Sequence, residues 1–119
     1  MKISVIIPSY QQRAYLEETL RSVLDQRYPD LELIVVDGGS QDGTVELLET
    51  FAPQLAWWVS EKDRGQTDAI NKGLRRATGE VWSYLNSDDL LSAHSLTRIA
   101  ETFADPSVQW VGAISTIFD

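Results

Sequence analysis

A chain of 119 residues has room for one domain with one principal core, so a second domain is excluded. Its 43% hydrophobic and 24% charged residues are ordinary for a globular protein and exclude intrinsic disorder. The 18 acidic residues outnumber the 10 basic ones, and the net charge of -8 makes nucleic acid and anionic membrane surfaces poor partners. The absence of cysteine excludes disulfides and thiolate metal sites.

Strand-like and helix-like patterns alternate along the whole chain. Continuous β-branched runs are typical of strands covered on both faces, whereas apolar residues spaced i, i+4, i+7 are typical of one helix face. The patterns predict strands over 3–8, 31–36, 55–59, 81–85 and 108–114, and helices over 14–25, 45–52, 66–77 and 96–103. This alternation predicts an α/β fold over residues 1–119, with a mostly parallel sheet and helices on both faces. Gly79 is expected to end the third helix.

Polar residues follow each of the first four predicted strands. They lie in the segments 8–10, 37–40, 61–65 and 86–89. In parallel α/β sheets, ligands bind beyond the carboxyl ends of the strands, where neighbouring connections diverge. We therefore expect these four segments to form one binding site.

The adjacent carboxylates Asp88 and Asp89, with Asn86 just before them, indicate a metal site. Hard oxygen ligands with open coordination positions suit Mg²⁺ or Mn²⁺ bound to a diphosphate. A metal would also allow a protein of net charge -8 to bind an anionic ligand. Asp89 taken alone fits a helix cap equally well.

Asp37 is a candidate for binding a nucleoside, because it ends the second strand with an acceptor for a ribose hydroxyl or a base N–H. It fits equally an Asx turn that stabilises the Gly38-Gly39 loop, and both roles can hold together. Arg64 lies close to the predicted helix start near Gln66, where free N–H groups and a cation favour a phosphate. A solvated surface arginine is the alternative.

Several linked motifs carry a family resemblance. They are Ile3 to Tyr10, Ser22 to Pro29 leading into Leu33 to Thr44, Asp68 to Gly73, and Gly79-Glu80 leading to Leu85 to Asp89. In this order and spacing the chain resembles family 2 glycosyltransferases of the GT-A fold, which is Rossmann-like. The resemblance covers residues 3 to about 91.

The resemblance implies roles for individual residues. Pro8, Ser9 and Tyr10 would line the nucleoside pocket and Asp37 would bind the base. The segment Asn86-Ser87-Asp88 stands where the family has Asp-x-Asp, so Ser87 would lie near the ribose and Asp88 would hold the metal. Asn86 departs from the more common Asp, although an amide oxygen can still coordinate. Arg64 and Asp68 complete the candidate nucleotide-binding set.

The resemblance also implies an activity, which is transfer of a sugar from a UDP- or GDP-sugar to a saccharide or lipid-linked acceptor, with inversion and with Mn²⁺ or Mg²⁺. Such a role in polysaccharide biosynthesis predicts a cytoplasmic protein or one at the inner face of the membrane, and leaves a homo-oligomer open. No membrane-spanning segment is predicted. Family members continue through acceptor-binding segments and a catalytic base without counterpart here, so we expect a fold truncated at its C-terminal side.

Three alternatives compete with this interpretation. A dinucleotide-binding oxidoreductase would need glycines in the first turn, where the sequence has Ser9-Tyr10-Gln11-Gln12. A nucleotidyltransferase would favour a glycine- and lysine-rich loop near the N-terminus. The third alternative is a nucleotide-binding module without transfer activity.

Overall fold

The computed structural model describes residues 1–111. Strands and helices alternate as predicted, with one added 3₁₀ turn after the second helix. The elements are β1 (Ile3–Ser9), α1 (Arg13–Leu24), β2 (Leu31–Asp37), α2 (Thr44–Phe51), the 3₁₀ turn (Ala52–Gln54), β3 (Trp57–Ser60), α3 (Gln66–Arg76), β4 (Val81–Tyr84) and α4 (Ser95–Phe103). Within these residues, no helix combines the length and apolar character needed to cross a bilayer.

The four strands form one parallel sheet in the order β3-β2-β1-β4. The chain moves outward from β1 through β2 to β3 and then returns to the other side of β1 with β4. The connections on the two sides of β1 therefore diverge at the carboxyl end of the sheet, which is where such folds place a ligand.

Two apolar layers cover the sheet and confirm the predicted α/β fold class. On one face, α1, α2 and α4 contribute Leu20, Leu48 and Leu96 to a core shared with β1 and β2. On the other face, α3 packs Ala69 against Ile6 and Ile34. Because both faces are buried, the central strands are mostly apolar at successive positions, with Ser4 and Glu32 as buried polar exceptions near their amino ends.

A hydrogen-bond network at the amino ends of the strands is centred on Glu32. Its buried carboxylate accepts bonds from Ser4 Oγ at 2.6 Å and from both N and Oγ1 of Thr78 at 2.7 Å, and it lies 3.5 Å from Lys2 Nζ. Burial alone would raise the pKa of Glu32, but the hydrogen bonds and the lysine outweigh it and lower that pKa to about 2. The network joins β1, β2 and the segment before β4.

Two expectations about the chain need correction. Residues 108–111 are not a strand: Val108 N closes a turn by donating to the Asp105 carbonyl at 3.0 Å, and Trp110 is exposed, so the run packs on nothing that would make it a buried strand; the rest of the predicted strand lies outside the described residues. Gly79 does not end α3, which stops at Arg76. It is required for close approach instead, since a Cβ there would lie 2.8 Å from Ser4 N.

Candidate functional site

A cavity of about 540 Å³ opens at the carboxyl ends of the strands, where the connections diverge. We call it the switch-point cavity. Its lining comes from the ends of β1, β2 and β4, the loop after β3, and the start of α3. The lining residues are Pro8, Ser9, Tyr10, Gln12, Gly38, Lys62, Asp63, Gly65, Gln66, Ala69, Asn86, Ser87 and Asp88.

The structure brings six of the nine predicted site residues together in this cavity. They are Pro8, Ser9, Tyr10, Asn86, Ser87 and Asp88. The other three, Asp37, Arg64 and Asp68, do not line it. These six residues lie at or just after the carboxyl ends of β1 and β4, the two strands on either side of the topological switch point.

Ser9 has a buried hydroxyl that lacks a partner. The residue is 5% exposed and lines the cavity, and none of the described residues hydrogen-bonds its Oγ. A buried hydroxyl without a partner is costly, so a ligand that supplies one gains that energy on binding. This is a physical reason to place a polar ligand group beside β1.

Asp37 is completely buried, and its carboxylate serves its own loop. It accepts hydrogen bonds from Gly39 N at 3.1 Å, from Ser40 N at 2.8 Å and Oγ at 2.6 Å, and from Ser60 Oγ at 2.7 Å. Ser40 Oγ in turn accepts a bond from Gln11 N at 2.8 Å. Asp37 therefore orders the turn after β1, next to Tyr10, through Ser40.

Asp63 is an acceptor at the cavity wall that sequence reasoning passed over. Its carboxylate accepts a hydrogen bond from Gly65 N at 2.9 Å and packs so closely on Gly38 that a Cβ there would lie 3.1 Å from either oxygen. Gly38 thus permits the loops after β2 and β3 to meet. The Gly38-Gly39 pair after the second strand is the signal in the sequence, because glycines there permit close backbone approach as well as a turn.

Polar residues of α1, the buried Thr19 and the half-buried Ser22, hold the segment after β4. Thr19 Oγ1 contacts the carbonyl oxygens of Ser87 at 2.9 Å and Asp89 at 2.7 Å. One helical turn further along, Ser22 Oγ accepts a bond from Leu91 N at 3.0 Å.

The same stripe of α1 continues to Gln26, just beyond the helix. Its side chain donates to the Ser92 carbonyl at 2.9 Å and accepts from Leu96 N at 3.0 Å. Thr19, Ser22 and Gln26 are spaced i, i+3, i+7 beside the apolar stripe of α1. This spacing in the sequence indicates that the three polar side chains lie on one face of the helix. The position of the turn that bears Asp88 is fixed by α1.

Asn86 and Asp88 differ in how free their side chains are. The Asn86 amide accepts a bond from Gln66 Nε2 and donates to Asp89 Oδ2 at 3.2 Å. Asp88 is exposed to the cavity and accepts no hydrogen bond from the described residues.

The carboxylates at the cavity fit a metal ion that keeps open coordination positions. Residues 1–111 contain no cluster of three His, Cys, Asp or Glu side chains that would form an all-protein cage. One free carboxylate, Asp88, fits the mode in which Mg²⁺ or Mn²⁺ binds through one or two carboxylates together with substrate phosphates.

Arg64 and Asp68 cooperate at the start of α3. The Asp68 carboxylate accepts a bond from Arg64 N at 3.0 Å and lies 3.9 Å from Lys72 Nζ. Asp68 thus stabilises the helix start, where an acidic group is favoured by the helix dipole. Lys62, two residues before Arg64, is the cation that lines the cavity.

Comparison with protein families decides between the alternatives raised by the sequence. Residues 4–119 match the family model described as Glycosyl transferase family 2. The chain belongs to glycosyltransferase family 2. This membership favours a glycosyltransferase over a dinucleotide-binding oxidoreductase or a nucleotidyltransferase.

Two curated relatives illustrate the similarity of this family 2 chain. It is 40% identical to an uncharacterized glycosyltransferase of Nostoc, over 91% of this chain and 34% of the relative. It is 38% identical to TuaG of Bacillus subtilis, a putative teichuronic acid biosynthesis glycosyltransferase, over 88% of this chain and 43% of the relative. The chain therefore spans between a third and a half of these relatives' length.

Solved structures of glycosyltransferases share the architecture. S. aureus TarS 1-349 in complex with UDP-GlcNAc superimposes with a TM-score of 0.79 at 30% identity, over 88% of this chain and 32% of that one. Glucosyl-3-phosphoglycerate synthase from Mycobacterium tuberculosis, in complex with Mn²⁺, UDP and glucosyl-3-phosphoglycerate, gives a TM-score of 0.61 at 25% identity, over 72% and 33% of the chains. The GT-A assignment of this family 2 chain is confirmed.

Proposed function

We propose that this chain binds the donor of a glycosyl transfer, a UDP- or GDP-sugar, in the switch-point cavity. The whole protein then transfers the sugar to a saccharide or lipid-linked acceptor with inversion. The observation that carries the proposal is that the unpartnered Ser9 hydroxyl and the free Asp88 carboxylate share one cavity at the topological switch point. The similarity to TarS, which binds UDP-GlcNAc, supports it.

The nucleoside half of the donor lies, in this proposal, against the carboxyl end of β1. Pro8 and the exposed ring of Tyr10 offer apolar contact for a base, and Ser9 offers the buried hydroxyl. Asp63 supplies an acceptor for a base N–H or a ribose hydroxyl from the opposite loop. Asp37 acts on this pocket through Ser40 and the turn that Tyr10 begins.

The diphosphate lies, in this proposal, toward Asp88, with Ser87 near the ribose. Asp88 would hold Mn²⁺ or Mg²⁺ through its free carboxylate. When bound, such an ion neutralises negative charge on a departing diphosphate. Asn86 orients the turn through its bonds with Gln66 and Asp89, and we assign it a supporting position.

Inverting transfer also needs a base for the acceptor hydroxyl. The only carboxylates of residues 1–111 that line the cavity are Asp63 and Asp88, both of which have roles on the donor side of this proposal. We propose that the base and the acceptor site come from a part of the whole protein outside residues 1–111. General-base assistance is commonly worth about 10²- to 10⁴-fold in rate.

Calorimetric titration with UDP, GDP and NAD, with and without Mn²⁺, tests the proposal. We expect UDP or GDP to bind, NAD to fail, and affinity to fall on addition of EDTA or in Asp88→Asn. Glu101→Gln is a matched control, because Glu101 is an exposed carboxylate on α4 outside the cavity. Binding that is indifferent both to EDTA and to Asp88→Asn would remove the metal role. Preferred binding of NAD would overturn the function.

A further inference from the structure

Lys62 differs from the other lysines of the described residues in having no carboxylate partner within 4.0 Å among them. Lys2 lies 3.5 Å from Glu32 and Lys72 lies 3.2 Å from Glu61. In a chain with 18 acidic and 10 basic residues, most lysines find such a partner easily. An ammonium group left without one beside a cavity is available to an anionic ligand.

The fold fixes Lys62 at the cavity wall. Gly39, at a φ of +89°, brings the loop after β2 so close that a Cβ on it would lie 3.4 Å from Lys62 N. Lys62 is one of the residues that line the cavity, whereas Arg64 is not. Among the described residues Lys62 is the one basic residue in that lining, and its exposed side chain is long enough to reach a ligand there.

Two further features of the same wall favour an anion. Helix α3, of 11 residues, begins at Gln66 in the cavity lining; its N-cap is Gly65, which has no side chain to cap the first N–H groups, and the Asp68 carboxylate of its first turn accepts its bond from Arg64 N. Its first N–H groups and its dipole therefore attract negative charge. Independently, the buried hydroxyl of Ser9 lines the same cavity without a partner.

We infer that Lys62 binds the diphosphate of the donor and stabilises the nucleotide as it departs. This inference rests on the proposed function and assigns the phosphate contact to Lys62 in place of Arg64. In the transfer, the bond between the anomeric carbon and the phosphate oxygen breaks, and its electron pair stays on that oxygen. The acceptor hydroxyl oxygen bonds to the anomeric carbon and its proton passes to a base.

The charge of the departing nucleotide sets the expected order of effects. Breaking the bond adds one negative charge to the diphosphate, so an ammonium at Lys62 interacts more strongly with the free nucleoside diphosphate than with the nucleotide sugar. It has no ionic interaction with the nucleoside. Substitution of Lys62 should therefore affect the diphosphate most, the nucleotide sugar less, and the nucleoside least. A residue that only maintains the fold would affect all three alike.

The test is calorimetric titration of Lys62→Gln at fixed Mn²⁺ and ionic strength. The ligands are the better bound of UDP and GDP, its glucose conjugate and its nucleoside. We expect about a tenfold loss of affinity for the diphosphate, as for removal of a hydrogen bond to a charged group. The loss should be smaller for the conjugate, and nucleoside affinity should stay within about twofold of its original value because it lacks the charge. Lys62→Arg should restore most of the loss.

Arg75→Gln is the matched control, because it removes the same charge from the exposed last turn of α3, outside the cavity. It should leave all affinities unchanged. Equal diphosphate affinity in Lys62→Gln and the unaltered chain would overturn the inference alone, as would a loss confined to Arg64→Gln. If the unaltered chain bound neither UDP nor GDP, the proposed function would fail and the inference with it.

Discussion

Replacement of Thr19 by valine tests whether α1 positions the turn that bears Asp88. Thr19 is completely buried, and its Oγ1 lies 2.9 Å from the Ser87 carbonyl oxygen and 2.7 Å from that of Asp89. Valine preserves the shape of the side chain and removes the hydroxyl. The turn then keeps its packing and loses its donor.

The size of the effect of Thr19→Val depends on how many hydrogen bonds the Thr19 hydroxyl can donate. The Thr19 hydroxyl has a single proton to share between its carbonyl acceptors, so the substitution removes about one hydrogen bond and leaves carbonyl groups short of a donor. Such a loss costs about 1–3 kcal/mol. If all of it falls on the conformation that places Asp88, metal-dependent UDP affinity drops about 5- to 150-fold, since 1.4 kcal/mol corresponds to tenfold.

Urea unfolding and titration of UDP in Mn²⁺ measure the two quantities. Thr19→Ser is the matched control, because it keeps the hydroxyl and removes one methyl group at a cost of about 1 kcal/mol. We expect both variants to be less stable and only Thr19→Val to lose affinity for UDP. Full UDP affinity in Thr19→Val, despite lower stability, would refute the positioning role.

Three further predictions concern stability. Asp37→Asn should lower the free energy of unfolding by at least about 3 kcal/mol, because its amide nitrogen would face hydrogen-bond donors in a buried site. Unchanged urea unfolding together with lost UDP binding would instead support direct contact of Asp37 with the base. The lowered pKa of Glu32 stabilises the fold fully above its ordinary pKa of 4.5, and that contribution, up to about 3 kcal/mol, should be lost as pH falls toward 2. Glu32→Gln should remove this part of the pH dependence of urea unfolding, and an unchanged pH profile would contradict it. Gly79→Ala should cost about 1–3 kcal/mol in thermal or urea unfolding, because its Cβ overlaps Ser4 Oγ, and an unaltered midpoint would show that β1 can shift.

The sheet could be predicted from the sequence because strands that are buried on both faces appear there as runs of apolar residues. The runs at β1 and β2 are mostly apolar at successive positions, which is typical of strands covered on both faces. The expected strand from Val108 used the same pattern, but residues 108–111 leave Trp110 exposed. An apolar run predicts a strand only where something covers it.

The site could be predicted less completely, because side-chain direction is a tertiary property. The sequence shows a carboxylate at the end of β2 but does not show what it contacts. In the structure the Asp37 carboxylate accepts hydrogen bonds from its own loop. Lys62 and Arg64 lie in one loop, and the sequence does not indicate which of them lines the cavity; in the structure it is Lys62, whose backbone packs against Gly39. Asp88 was accessible to sequence reasoning because its position follows directly from the end of β4.

The network around Glu32 separates the part of the sheet that sets strand register from the part that meets a ligand. Ser4 and Thr78 are tied to it at the amino ends, and neither lines the cavity. Loops at the opposite edge can then be exchanged without a slip in register. Grafting residues 61–65 from a relative with a different donor is therefore a practical way to redesign donor preference on this scaffold.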